Sequence, residues 1–187
     1  EKVLIVRNRV AHSQQTYGIM KAMFPGIPIL LLHSRFKRGV RNERERLLMK
    51  WNKKRNYPCI VVSTQVVEVS LDISFNVEIT DCAPIDSLIQ RFGRVNRIRT
   101  RKTIGKYKPI YVLAPPEDRK DAMPYQLNLL KKTYEILPNR RILREHEIQK
   151  LIDAVYPEIS ITSVNVASIF ENGEFDKKAI DVILESI

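Results

Sequence analysis

Short apolar runs alternate along this chain with longer stretches of mixed polarity. Five runs are short and rich in β-branched residues, and most of them are apolar at both odd and even positions: residues 3–6, 27–32, 59–62, 77–80 and 110–114. Strands of a parallel sheet have this pattern because helices cover both of their faces. Three intervening stretches have the length and composition of crossover helices: residues 11–24, 41–54 and 85–91. The alternation therefore predicts an α/β fold, a doubly wound parallel sheet with helices on both faces.

The pattern changes after Pro115 and Pro116, where strand-like runs stop. Helical patterns continue at residues 125–137, 143–155 and 177–186. We therefore expect a sheet domain over residues 1–116 and a mostly helical extension over residues 117–187.

Charge is distributed unevenly between these parts. The chain holds 32 Lys and Arg against 21 Asp and Glu, and 24 of the basic but only 10 of the acidic residues precede residue 121. A positive field attracts nucleic acid through its phosphates, which favours a nucleic-acid partner for the first part. A generic basic surface is the alternative.

Cysteine and histidine usage narrows the chemistry further. Cys59 and Cys82 each lie in or beside an apolar run, which predicts buried free thiols in a reducing cytosol. The three histidines are scattered and no C-x-x-C occurs, so we expect no metal site. The longest apolar run, residues 27–32, is far too short to cross a bilayer, and no signal-peptide pattern is present. These features predict a cytoplasmic protein without a membrane partner.

Polar residues follow the first three predicted strands directly. Ligands of doubly wound sheets bind at the carboxyl ends of the strands, so these positions are candidate contacts. Hydroxyl, amide and guanidinium donors hold phosphodiester oxygens without reading a base edge. The candidate nucleic-acid-binding residues are Arg7, Asn8, Ser34, Arg35, Thr64 and Gln65. For Ser34 and Thr64, capping of the following helix is an equal alternative.

Residues 90–97 read Q-R-F-G-R-V-N-R and place Arg91, Arg94 and Arg97 at intervals of three. On one helical turn such side chains share a face. Arginine presents a planar fork of donors that fits two phosphate oxygens, so this spacing indicates a polyphosphate ligand. Gly93 would let the ligand approach closely. A solvated basic helix is the alternative.

This octapeptide resembles the sixth conserved motif of superfamily 2 helicases. Residues 61–73, V-V-S-T-Q-V-V-E-V-S-L-D-I, resemble motif V, and the initial V-L-I-V-R-N-R-V resembles motif IV. L-H-S-R-F at residues 32–36 falls where these helicases make a further nucleic-acid contact. The order and spacing of the four segments resemble a second RecA-like domain. Their wording is most similar to the helicase part of the CRISPR-associated type I helicase-nuclease family and unlike that of DEAD-box helicases.

The resemblance implies ATP and Mg²⁺ as cofactors, both held mainly by an N-terminal RecA-like domain. No G-x-x-x-x-G-K-[ST] loop and no D-E-x-H-type motif occurs here, so we expect half a motor that is inactive alone. By resemblance, Arg94 and Arg97 are catalytic arginine fingers, and Asp72, Gln90 and Gly93 contact the nucleotide. Taken by itself, Asp72 would be a turn or capping residue.

The resemblance also implies partners. These are single-stranded DNA, the N-terminal RecA-like domain, an HD nuclease domain or subunit, and a guide-RNA surveillance complex. The expected function is the C-terminal half of an ATP-dependent DNA helicase acting in CRISPR type I interference. Two alternatives stay open: a superfamily 2 RNA helicase domain, and a nucleic-acid-binding or partner-docking module without motor function.

Overall fold

The computed structural model describes residues 1–54, 57–68, 73–98 and 105–156. Its five strands form one parallel sheet in the order β2-β3-β1-β4-β5. The strands are β1 (Lys2–Val6), β2 (Ile29–Leu32), β3 (Cys59–Ser63), β4 (Val77–Asp81) and β5 (Ile110–Leu113). The helices are α1 (Val10–Met23), α2 (Arg38–Lys53), α3 (Ile85–Phe92), α4 (Arg119–Ala122), α5 (Leu127–Ile136) and α6 (Ile148–Val155). The predicted α/β fold is confirmed.

Helices cover the sheet on both faces, as the apolar runs predict. On one face Leu48 and Trp51 of α2 pack against alternate residues of the three strands β1 to β3. On the other face, Tyr17 and Met20 of α1 pack against the intervening residues, among them Ile5 and Val62. Because successive strand residues point to opposite faces, β1 and β3 need apolar residues at both parities.

The helices after β5 pack onto the same sheet. Ala122 at the end of α4 and Leu130 of α5 form a buried cluster with Cys82, which follows β4. α6 packs against α3 and α5. Both cysteines are buried free thiols, as predicted. The predicted boundary after residue 116 stays a prediction, and the predicted helix over residues 177–186 lies outside the described residues.

Three expectations from the sequence are wrong in detail. The three arginines do not share one helical face, because α3 ends at Phe92 and the chain then turns, with Asn96 at φ +52°. β5 is not covered on both faces, since Tyr111 and Leu113 are exposed at the sheet edge. The helix expected over residues 143–155 begins only at Ile148, after a 3₁₀ turn at Glu145–Glu147.

Candidate functional site

Four of the six predicted nucleic-acid residues meet at the carboxyl ends of β1 and β3. Arg7 donates its backbone N–H to Ser63 over 2.8 Å, and the Gln65 amide donates to the Asn8 carbonyl over 3.0 Å. Thr64 is buried beside them, and its N–H donates to Leu32 over 3.1 Å. We call Arg7, Asn8, Thr64 and Gln65 the strand-end cluster. Parallel pairing of β1 with β3 brings them together.

Asp81 at the end of β4 holds this cluster in place. Its carboxylate accepts the Asn8 backbone N–H over 2.9 Å and lies 3.3 Å from the Arg7 guanidinium. The Asn8 side-chain amide donates to the Cys82 carbonyl over 2.7 Å. Sequence reasoning missed Asp81, although an acidic residue directly after an apolar strand was the available signal. The cluster is therefore pre-organised by a carboxylate that also limits its positive charge.

The helical extension reaches the same edge of the sheet. The Tyr125 hydroxyl lies 3.3 Å from the Gln65 amide nitrogen, and Arg9 pairs with Asp121 over 3.1 Å. Residues after β5 thus border the strand-end cluster. Nothing in the sequence pattern indicated this contact, because it joins positions far apart in the chain.

Ser34 and Arg35 lie in the exposed turn after β2. A small cavity of about 360 Å³ opens beside Ser34 and is lined further by Phe36, Arg38, Arg41, Asn42 and Glu45. Ser34 does not cap α2, because α2 begins at Arg38 and its N-cap residue is Lys37. Thr64 does precede a 3₁₀ turn, but its side chain makes no capping bond to the described residues.

An aromatic stack braces this turn from beneath. His33 is buried and its ring stacks on Phe36 at a centroid distance of 3.9 Å, while Arg44 covers Phe36 from 4.3 Å. Burial lowers the pKa of His33 below its usual value, because it disfavours the charged form of the ring. The stack, which includes the charged Arg44, therefore supports the turn that carries Ser34 and Arg35.

Arg91 is fully buried and connects three parts of the sheet edge. Its Nε donates to the Glu68 carboxylate over 2.8 Å, and its terminal nitrogens donate to the Thr80 hydroxyl over 2.8 Å and to the Asn8 side chain over 3.1 Å. A further bond reaches the Asp81 carbonyl at 3.2 Å. This arginine is structural, and it ties α3 to the strand-end cluster.

We call residues 90–97, the octapeptide that contains Arg91, Arg94 and Arg97, the arginine segment. Arg94 is 7% exposed, and its guanidinium donates to the Glu68 carbonyl. Its backbone carbonyl accepts the Phe75 N–H over 2.9 Å, and Val95 pairs with Phe75 just before β4 begins. The backbone of Arg94 therefore lies at the amino end of β4, whereas the strand-end cluster lies at the carboxyl ends of β1 and β3.

Three further residues of the segment are exposed: Gln90, Gly93 and Arg97. Gly93 adopts ordinary helical angles at the end of α3. A Cβ added there would lie 3.3 Å from the Gln90 carbonyl oxygen, so the glycine also relieves crowding within the chain itself. The exposed donors Gln90 and Arg97 suit a phosphate ligand approaching from outside the domain.

Glu78 is a buried acid that sequence reasoning missed. It is the second residue of β4, and burial raises its pKa to about 8, with Arg91 opposing and Glu68 reinforcing the rise. Neither carboxylate oxygen has a hydrogen-bond partner among the described residues. A charged residue within an apolar strand was the available signal. Burial therefore favours the protonated form of the Glu78 carboxyl at neutral pH.

One predicted nucleotide contact is not placed by these contacts. Asp72 lies outside the described residues.

Among residues 1–54, 57–68, 73–98 and 105–156, no group of His, Cys, Asp and Glu has the arrangement of a metal site. No helix within these ranges has both the length and the apolar character needed to cross a membrane.

Known proteins resemble the chain in sequence and in fold. It is 34% identical over 190 residues to the CRISPR-associated nuclease/helicase Cas3 of Streptococcus thermophilus, covering 97% of this chain and 20% of that protein. The T. fusca Cas3-AMPPNP crystal structure matches with a TM-score of 0.74 and 27% identity, over 99% of this chain and 23% of that one. A chain of a CRISPR RNA-guided surveillance complex in a pre-nicking state matches with a TM-score of 0.69 and 26% identity, covering 98% and 24%.

The chain thus spans about a fifth of the length of the relatives it matches. Its parallel sheet and the order of its motif segments agree with the second RecA-like domain of these proteins. Residues 1–100 match the family described as CRISPR-associated nuclease/helicase Cas3, C-terminal. The chain belongs to this Cas3 C-terminal family.

Proposed function

We propose that this chain is the C-terminal half of an ATP-dependent DNA helicase that acts in CRISPR type I interference. The observation that carries the proposal is the Arg91 network. It joins the arginine segment, which suits phosphate, to the strand-end cluster, which suits a nucleic-acid backbone. A motor needs such a connection, because binding and hydrolysis of the nucleotide must change the contacts between the protein and the nucleic-acid strand.

Arg94 and Arg97 are the proposed fingers. They would face ATP and Mg²⁺ held mainly by an N-terminal RecA-like domain, and their charge would stabilise the transferred phosphoryl group. In this conformation the Arg94 guanidinium contacts the Glu68 carbonyl. A contact with the nucleotide would exchange that carbonyl for a phosphate oxygen, while Gln90 and Gly93 would border the nucleotide together with Asp72.

The proposed strand track runs along the carboxyl edge of the sheet. Ser34 and Arg35 are exposed at one end of it, and the strand-end cluster follows across β3 and β1. The exposed donors of Ser34 and Arg35 suit phosphates, and contacts with phosphates are independent of base sequence and sensitive to salt. Single-stranded DNA is the proposed track.

The Cas3 relatives support the wider setting. A T. fusca relative has been crystallised with AMPPNP, and another similar chain belongs to an RNA-guided surveillance complex in a pre-nicking state. We extend these properties to this chain as proposals. ATP is the proposed nucleotide that is hydrolysed. An HD nuclease domain or subunit and a guide-RNA surveillance complex are the proposed partners. The cytosol is the proposed compartment.

Nucleotide hydrolysis tests the proposal directly. The 187-residue chain should hydrolyse no ATP, and the full-length protein should hydrolyse ATP faster with single-stranded DNA than with single-stranded RNA. Stimulation by RNA alone would favour the RNA helicase alternative. Nucleic-acid binding by a full-length protein without any ATP hydrolysis would favour the module without motor function.

A further inference from the structure

A groove of about 990 Å³ lies beside β5, and no residue of the strand-end cluster lines it. Its walls come from the end of the arginine segment, from residues 106–112 and from residues 134–143. Clefts of roughly 300–1,000 Å³ accept organic groups the size of a nucleobase or larger. The groove is therefore large enough for a ligand that the proposed track does not account for.

Three tyrosines that line this groove are exposed to solvent. Tyr107 is 69% exposed, Tyr111 57% and Tyr134 40%. A group of large exposed side chains marks an interaction surface more often than an isolated one does. Tyrosine rings offer flat faces on which bases stack, and such stacking tolerates any base sequence.

The charge of the groove is positive and largely unneutralised. Lys106, Lys108 and Arg140 form no ion pair with the described residues. Arg141 is paired with Glu147 over 3.1 Å, and Glu135 is the single acid among the described residues that line the groove. A polyanion is the ligand class that this charge complements.

We propose that this tyrosine groove, lined by Tyr107, Tyr111, Tyr134, Lys106, Lys108 and Arg140, is a second contact site for single-stranded nucleic acid. Bases stack on the tyrosines while the cations contact the phosphates. The inference rests on the proposed function for its ligand class, but it concerns a separate surface.

Exposed rings and cations together favour single-stranded nucleic acid over duplex DNA and over an acidic peptide. Duplex DNA keeps its bases stacked internally, so it cannot use the three ring faces. An acidic peptide would satisfy Lys106, Lys108 and Arg140 but would leave the rings without a flat partner. A single strand satisfies both. Asn96, whose amide donates to the Lys106 carbonyl over 3.0 Å, joins the groove to the arginine segment.

Ring replacement in the 187-residue chain tests the groove. Tyr107→Ala with Tyr111→Ala should weaken binding of fluorescein-labelled oligothymidine, followed by anisotropy, at least about tenfold. Tyr107→Phe with Tyr111→Phe should bind within about twofold of the unaltered chain, because phenylalanine keeps the stacking face. Lys106→Gln with Lys108→Gln should reduce the salt dependence, whereas the exposed control pair Lys131→Gln with Lys150→Gln should reduce it less.

Several results would overturn the groove. Unchanged binding by the alanine pair would do so, as would an equal loss in the phenylalanine pair. Polyglutamate competing as well as unlabelled oligothymidine would assign the groove to an acidic protein instead. Thermal unfolding of each variant identifies damage to the fold, and Lys106→Gln with Lys108→Gln then provides the test at side chains that are not buried.

A parallel measurement separates this inference from the proposed track. The variant Ser34→Ala, Arg35→Ala, Thr64→Ala removes donors of the carboxyl edge and none of the groove. Loss in that variant but not in the tyrosine variant would refute the groove and support the track. The opposite result would support the groove and refute the track.

Discussion

The strand-end cluster and the arginine segment use the same kinds of donor in different surroundings. In the cluster, Arg7 and Asn8 are already bound by Asp81, and sheet hydrogen bonds fix their backbone. In the segment, Gln90, Gly93 and Arg97 lie exposed at or beyond the end of a helix. The first region presents a rigid edge, and the second presents side chains that can change partner.

Arg91 and Arg94 connect the two regions through Glu68. Arg91 binds the Glu68 carboxylate, and Arg94 binds the carbonyl of the same residue. The comparison teaches that arginines spaced by three need not act alike. Burial gives Arg91 a structural role, while exposure leaves Arg97 able to contact a partner domain.

The largest effect should come from the arginine segment. In the full-length protein, Arg94→Ala or Arg97→Ala should reduce ATP turnover about 10³-fold or more, because fingers act on transition-state charge. Steady-state hydrolysis measures this, and Arg46→Ala on the exposed side of α2 is the matched control. Arg94→Lys tests whether the planar fork is needed beyond the charge. Normal turnover with both arginines replaced would reduce the segment to a basic surface.

The second-largest effect should be on the free energy of unfolding. Arg91→Met should lower the free energy of unfolding by about 3–5 kcal/mol, because it leaves Glu68 without its buried partner. Denaturant unfolding of the chain measures the loss, with Arg97→Met as the exposed control. Adding Glu68→Gln to Arg91→Met should cost less than the sum of the two single changes. A loss no larger than that of the control would contradict the structural role of Arg91.

The stability of the fold should depend on pH through the Glu78 carboxyl. Its pKa is raised from 4.5 to about 8 in the folded chain, so the folded state holds the proton more tightly than the unfolded state. Stability should therefore fall as pH rises from about 4.5 through about 8, and level off above that. Glu78→Gln should remove this slope in thermal unfolding measured across the range. An unchanged slope in the variant would assign the pH dependence to another group.

The smallest effect should come from the carboxyl edge. In the full-length protein, Ser34→Ala, Arg35→Ala and Thr64→Ala together should weaken strand binding, with each neutral donor contributing about 0.5–1.5 kcal/mol. ATP affinity should stay unchanged, because none of the three belongs to the arginine segment. Unwinding and strand-stimulated hydrolysis measured on one preparation would reveal the uncoupling. Normal unwinding would place the track elsewhere on the basic surface.

Sequence alone determined the strands and their polar ends. Apolar runs at both parities require cover on both faces, so they located the strands to within about two residues. Parallel strands end at one edge of a sheet, which is why Asn8 and Gln65, far apart in the chain, meet as expected. The motif segments indicated the family, which the match over residues 1–100 confirms.

Tertiary structure decided which arginine does what. Helical spacing assigns a common face only while the helix continues, and α3 ends at Phe92, before Arg94 and Arg97. Arg91 is structural because Thr80, Asn8 and Glu68 converge on it from three separate segments. Glu78 keeps its proton because the fold buries it there. Burial and long-range contacts arise from packing between distant segments, and local periodicity carries no information about them.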